Sequence, residues 1–320
     1  MLNPNITTPI RQDRVLDSVV ETIGNTPMVK LNRIHNGTSN PASILAKLEY
    51  FNPAGSIKDR AALAMLNALQ QDNQSPVTHI VEASSGNSGV ACAWLGAVYD
   101  IAVTIVMPEH MSVERQKLIS HYGATLITTP REQGMPGAIA RAERLIEQLD
   151  GAVSMDQFAN PANALAHQQS TGQEIWDDTA GKVDVVVAGM GTGGTLTGIG
   201  TFLKARNRAI QIVAAEPESC PLLSQGRGGE HKIQGINPGH IPAGMKVEIL
   251  DRVITVSDDD AISMARQLAR KEGLAVGLSS GAVVHAALCL AAMPQYHGKN
   301  IVTILADGAE RYFSTALFCE

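Results

Sequence analysis

Residues 183–205 read VDVVVAGMGTGGTLTGIGTFLKA. A continuous run of β-branched residues ends at Ala188, a turn with four glycines follows, and a helix-forming pattern begins at Gly194. A short apolar run closed by glycine and followed by a helix is one strand–turn–helix unit of a parallel sheet. The same unit recurs in both directions along the chain. Strands are predicted at 44–48, 77–81, 101–107 and 125–128, then at 183–188, 212–215, 253–256 and 301–305. Helical patterns fill the gaps at 59–71, 88–98, 112–121, 137–149, 161–178, 194–205, 258–271 and 281–293. Ser112 and Asp258 are the predicted N-caps of two of these helices. Strands separated by helix-length segments define an α/β fold with mainly parallel sheets. The series divides near 157–161, which predicts two lobes with a cleft between them.

The bulk properties agree with a globular enzyme-sized chain. Its 320 residues are 44% hydrophobic, and 25 basic against 31 acidic residues leave a formal charge of −6. With no long basic run, nucleic acid and an acidic membrane surface are excluded as main partners. Cys92, Cys220, Cys289 and Cys319 are scattered without ligand spacing, so free thiols in a reducing compartment are expected, and no metal site. No stretch approaches the roughly 18 apolar residues that span a bilayer. A polar arm is expected over 1–14, and the chain is expected to be soluble and cytoplasmic. Residues 222–246, rich in Gly, Pro and His, form a long aperiodic segment of the kind that usually carries function.

Four turns carry the chemistry. In NPAGSIKDR (52–60), Lys58 stands at the start of a helix, where the dipole disfavours a cation and favours release of its proton. A neutral amine is what imine formation requires; a solvated surface lysine is the plain alternative. In EASSGNSG (82–89), Ser84, Ser85 and Ser88 bring hydroxyls to a helix start, more than a simple cap needs, and suit a carboxylate. In the third turn, Gly189, Gly191 and Gly194 satisfy GxGxxG, and Glu216 lies about 22 residues beyond Gly194. That spacing also fits a nicotinamide dehydrogenase. In GLSSGA (277–282), Ser279 by itself indicates only a hydroxyl at a turn.

Together these turns resemble the β-replacement family of pyridoxal-phosphate enzymes, specifically the A-type cysteine synthases (O-acetylserine sulfhydrylases). The resemblance runs from about Val15 to Leu317 and includes ETIGNTPMVKLNRI, NPAGSIKDRAAL, EASSGNSG, MSVERQKLISHYGA, GMPGAIARAE, QFANPANALAHQQSTGQEIW, GMGTGGTLTGIG, HKIQGINPGHIP, GLSSGA and ERYFSTALF. It implies a two-lobed fold-type II architecture, tryptophan synthase β-like, with pyridoxal 5'-phosphate in the interlobe cleft. The implied division is an arm at 1–14, a start of chain at 15–44 packed with the large lobe, a smaller mobile lobe at 45–158 and a large phosphate-binding lobe at 159–320. Lys58 matches the Schiff-base lysine. Asn87 matches the residue at the cofactor's 3′-oxygen, and Gly191, Thr192, Gly193, Gly194 and Thr195 match the phosphate cup. Ser279 matches the serine facing the pyridine nitrogen. Ser84, Ser85, Ser88 and Gln157 match the substrate-carboxylate grip.

The implied reaction is O-acetyl-L-serine plus sulfide giving L-cysteine and acetate through an α-aminoacrylate. The family further implies a homodimer and docking of the C-terminal tail of serine acetyltransferase. The rival activities are a cystathionine β-synthase using homocysteine, a catalytically reduced partner of the acetyltransferase, and the dehydrogenase. Ala83, Ser84 and Ser88 stand where A-type members carry Pro, Thr and Thr, and His240 stands where Phe is usual. These departures bear on substrate fit and on acceptor preference.

Overall fold

The computed structural model describes residues 15–34, 42–72 and 76–319; the arm expected over 1–14 lies outside them. Strands β1 (Met28–Lys30), β2 (Ser43–Leu48), β7 (Val185–Gly189), β8 (Gln211–Pro217), β9 (Arg252–Val256) and β10 (Asn300–Leu305) form one sheet, ordered β1-β2-β10-β7-β8-β9. Strands β3 (His79–Ala83), β4 (Ala102–Pro108), β5 (Thr125–Thr129) and β6 (Ala152–Val153) form a second, ordered β5-β4-β3-β6. Every neighbouring pair is parallel except β1 with β2. The central strands VVVAG and NIVTIL are buried almost throughout, because helices cover both faces of a parallel sheet.

The helices are α1 (Lys58–Asp72), α2 (Asn87–Tyr99), α3 (Val113–His121), α4 (Gly134–Gln148), α5 (Pro161–Ala166), α6 (Gly172–Asp178), α7 (Gly194–Arg206), α8 (Leu222–Gln225), α9 (Asp258–Gln267) and α10 (Leu278–Ala291). α10 carries no Asp, Glu, Lys or Arg and is apolar on most sides, so it sits within the core of the larger lobe. Among the described residues, no helix is long and apolar enough to cross a membrane.

Three sequence expectations change. The helix predicted over 161–178 is interrupted by a π-type turn at His167–Thr171, and the one over 258–271 ends in another at Leu268–Glu272. The N-cap of α9 is Ser257, whose extended backbone lets its hydroxyl accept from Asp260 N at 3.0 Å, while Asp258 is the first helical residue. Ser112 caps α3 as expected, accepting from Arg115 N.

The lobe boundary at 44/45 also needs correction, because it would cut β2. That strand pairs with β10 over its full length, from Ser43 opposite Asn300 to Leu48 opposite Leu305, and so belongs to the larger sheet. The start of the chain is divided as well. β1 edges the larger sheet, whereas Val20 and Ile23 pack on the core of the smaller one.

Charged groups fasten the two parts below the cleft. Arg60 of α1 is buried and bonds Glu49 (Nε to Oε2, 2.7 Å) and Glu174 of α6 (Nη1 to Oε1, 2.6 Å). Lys47 of β2, 1% exposed, meets Glu174 and Asp178, each at 2.9 Å. Burial alone would raise the Glu174 carboxyl, but the hydrogen bond and charge of Arg60, with Lys47, hold it at about 2. Arg60→Ala leaves Glu49 buried without its partner and is expected to cost about 3–5 kcal/mol in unfolding free energy, read by chemical denaturation. Because the folded-state value of Glu174 lies below the ordinary 4.5, its contribution is full above that value. It is lost as pH falls toward about 2. A Glu174→Gln variant should therefore show a shallower loss of stability over that window.

Candidate active site

The cleft between the sheets holds a cavity of about 390 Å³, formed where loops leave the carboxyl ends of β2, β3, β7 and β10. This is where ligands settle in open parallel sheets. Lys58 enters it from the first residue of α1. The turn before it is pinned to the end of β10: Ile57 N donates to Ala306 O at 2.9 Å, and Ser56 bridges to Asp307. Gly55 takes φ +83°, and a side chain there would strike the Arg311 guanidinium. Burial lowers the Lys58 amine from 10.5 to about 8. The sequence reading credited the helix dipole for easier deprotonation; the dominant cause in the fold is desolvation.

The three serines after β3 have different neighbours. Ser84 Oγ accepts from Gly89 N (3.0 Å) and Gly86 N (3.4 Å), so it supports the α2 start in the manner of a cap. Ser88 donates to Gln157 Oε1, which lies across the cavity floor. Ser85 lines the cavity beside them. The α2 N-terminus, with its free backbone N–H groups, completes a cradle suited to a carboxylate.

The glycine loop after β7 forms the opposite wall. Gly191 packs so closely under the long loop that an added Cβ would lie 2.8 Å from Gly235 O. Gly193 has φ +81° and stands just before α7, whose first N–H groups face the cavity end. Thr192 accepts from Asn163 Nδ2 at 2.8 Å, and Thr195 Oγ1 lies 3.4 Å from His167 Nε2. Burial, then the charges of Arg60 and Lys58, push His167 well below its ordinary value, so it is neutral. A tight glycine turn, two hydroxyls and a helix N-terminus fit one phosphate monoester, with Lys58 at the other end of the same cavity. Ser279, the second residue of α10, lines it between them.

Of the twelve sequence-predicted site residues, Lys58, Ser84, Ser85, Asn87, Ser88, Gln157, Gly191, Thr192, Gly193, Thr195 and Ser279 line this one cavity. Gly194 stands behind the wall, where a Cβ would overlap Asn163 Oδ1. Glu216, the acidic residue of the dinucleotide spacing, is buried and accepts from Leu223 N at 2.7 Å and Ser224 N at 3.1 Å. It caps α8 and does not face a nucleotide.

Sequence reasoning missed a set of charged residues behind Asn87. Asn87 Nδ2 donates to Asp307 Oδ2 at 2.6 Å, and its Oδ1 accepts from Arg311 Nη1 at 2.8 Å and from Arg115 Nε at 3.4 Å. Asp307 also accepts from Tyr312 Oη at 2.6 Å. The buried Glu82 was missed too. It accepts from Ser154 Oγ and Met155 N and joins β3 to the segment carrying Gln157; burial raises it to about 7. His240 lies at the cleft mouth, its ring 5.4 Å from that of Phe158.

Residues 19–307 match the family described as "Pyridoxal-phosphate dependent enzyme", and the chain belongs to that family. It is an enzyme, and pyridoxal phosphate is its cofactor. Within the family its relatives include cysteine synthases. Cysteine synthase A of Escherichia coli is 44% identical over 309 residues, covering 93% of this chain and 94% of the relative. Cysteine synthase of Staphylococcus aureus is 43% identical, covering 95% and 97%. The crystal structure of cysteine synthase (OASS) from Entamoeba histolytica superposes with a TM-score of 0.94 at 41% identity, over 99% of this chain and 94% of that one. The fold is therefore that of the fold-type II pyridoxal-phosphate enzymes, as the sequence implied.

The depressed Lys58 value predicts a pH signature. Uptake of pyridoxal phosphate by the apoprotein, followed by its visible absorbance, should accelerate with pH around a midpoint near 8, well below 10.5. Lys58→Ala should abolish that absorbance change, and a midpoint left near 10.5 would contradict the assignment.

Proposed function

We propose that this enzyme is a cysteine synthase that converts O-acetyl-L-serine and hydrogen sulfide into L-cysteine and acetate. The observation carrying the reading is convergence. A lysine of lowered pKa, a hydroxyl-bearing helix start and a glycine loop at a second helix start face one another across a single cavity. The cysteine synthase relatives supply the substrate class.

When bound, pyridoxal phosphate supplies an electron sink conjugated to the substrate's Cα. Lys58 Nζ would hold the cofactor, and as a free amine it would be the base for the substrate's Cα proton. Its lowered pKa leaves a substantial neutral fraction near pH 8, as a base requires. The Thr192 and Thr195 hydroxyls and the α7 N-terminus hold the phosphate. Asn87 and Ser279 would hold the ring, and Ser279, a neutral hydroxyl, would not favour ring protonation as a carboxylate would. Ser85, Ser88 and Gln157, with the α2 N-terminus, hold the substrate carboxylate, and Ser84 keeps that loop in shape. Occupancy of this loop draws the smaller lobe over the cleft and excludes water from the reacting carbon.

The same reading extends to assembly. The chain works as a cytoplasmic homodimer, and the cleft mouth near His240 receives the C-terminal tail of a serine acetyltransferase. Ser88 keeps the hydroxyl of the threonine usual there, so carboxylate binding is retained, and Ser84 keeps the hydroxyl that shapes the loop.

Rapid mixing separates the half-reactions. O-acetylserine alone should bleach the resting visible band, and sulfide should restore it faster than homocysteine does. Restoration by homocysteine alone would reassign the enzyme as a cystathionine β-synthase. Ser85→Ala should raise KM for O-acetylserine by roughly tenfold, the size of one lost hydrogen bond to a charged group, with little change in cofactor content.

A further inference from the structure

Arg115 of α3 is 3% exposed and reaches from the smaller lobe across the cleft. Its Nη1 donates to Gln234 Oε1 at 2.6 Å, in the long loop of the larger lobe. Its Nε donates to Asn87 Oδ1 at 3.4 Å, and its guanidinium carbon lies 4.9 Å from the Tyr312 ring centroid. The remaining nitrogen, Nη2, is 3.9 Å from Asp307 Oδ2.

A guanidinium donates and never accepts, whereas an ionised carboxylate only accepts. Side-chain amides can turn either face to a neighbour, so the charged groups around them decide which face points where. Around Asn87 the two kinds of group lie on opposite sides. Asp307 takes Nδ2, while Arg311 and Arg115 take Oδ1. At Gln234 the charged group is Arg115, and it takes Oε1. Gln234 lines the cavity, and with Oε1 taken by Arg115 its NH2 group is the face available to donate there.

We propose that Arg115 is a positioning residue that sets the amide faces of both Asn87 and Gln234, and that Gln234 Nε2 thereby becomes a donor to the carboxylate oxygen that leaves the substrate. This inference rests on the proposed β-replacement. In that reaction the phosphate, ring and α-carboxylate already have partners, and the departing group is the anion still lacking a donor. In that elimination the Cα proton goes to Lys58 and the Cα–H pair becomes the Cα=Cβ bond. The Cβ–O bond breaks with its pair on the carboxylate oxygen, and the Gln234 N–H stabilises that charge without giving up its proton.

The test uses holoenzyme carrying Arg115→Lys, Gln234→Glu or Gln234→Leu. Arg115→Lys keeps the charge but loses the fork, and Gln234→Glu keeps the bond to Arg115 but removes the donor. Each should lower kcat/KM for O-acetylserine by roughly 10- to 100-fold, the range for a hydrogen bond to a charged group, with cofactor content unchanged. L-Alanine has no leaving group, and its binding is read at equilibrium from the cofactor's visible absorbance. That binding should weaken in Arg115→Lys, through Asn87, and stay at the unmutated level in Gln234→Glu. Guanidinium ion should restore part of the loss in Arg115→Ala.

The losses in Arg115→Lys and Gln234→Leu should be strongly non-additive in the double variant; additive losses would overturn the idea. So would a Gln234→Leu enzyme with the kcat/KM of the unmutated protein, a result that stands even if the Arg115 variants fail to fold. If the unmutated enzyme does not consume O-acetylserine, the proposed reaction falls instead. The alanine titration then still reports whether Arg115 acts through Asn87.

Discussion

Everything in the cleft depends on where the chain turns after β2. Ile57 hands its N–H to the Ala306 carbonyl just past β10, and three residues further on Arg60 is clamped between Glu49 and Glu174. A buried guanidinium must be paired on every side to remain in the interior. The first turn of α1 is therefore held from its start and from below, and Lys58 between those anchors has little freedom except along its own side chain. The desolvation that lowers its pKa follows from the same arrangement, since the residues that pin the turn also exclude water from it.

The second determinant is the use of helix starts. α2 and α7 both begin at the cavity, and both expose backbone N–H groups to it. One start faces hydroxyls suited to a carboxylate, the other a glycine turn suited to a phosphate. The two walls are also joined by Asn163, whose amide donates to Gln157 O and to the Thr192 hydroxyl, both at 2.8 Å. A single side chain thus links Gln157 on one wall to the glycine loop on the other.

Much of this was legible in the sequence, for identifiable reasons. β4, β7, β8 and β10 announce themselves because strands covered on both faces are mostly apolar, whereas β3 carries His79 and Glu82 and runs two residues past its predicted end at Val81. β1 and β6 are three and two residues long, too short for any period to show. The interruption at His167 leaves the apolar spacing of 161–178 largely intact and so was hidden. Among the site residues, glycine and serine turns stand out because their composition is unusual wherever they occur. Arg115, Asp307 and Arg311 do not. In MSVERQKL and ADGAERY a charged residue reads as a solvated face, and only the packing of distant segments shows that these charges point inward. The GxGxxG spacing is ambiguous in the opposite way. Its glycines form a turn suited to a phosphate, but Glu216 at the expected distance serves a short helix.

The antiparallel pairing of β1 with β2 has a bearing on colloidal behaviour. The larger sheet would otherwise end on β2, a six-residue strand with unpaired backbone groups along one side, which is a template for adding a strand from another molecule. Three residues of β1 occupy that template, and the exposed Lys30 places a charge at its rim. A short strand with a charged rim leaves little free backbone there for a second molecule to pair with.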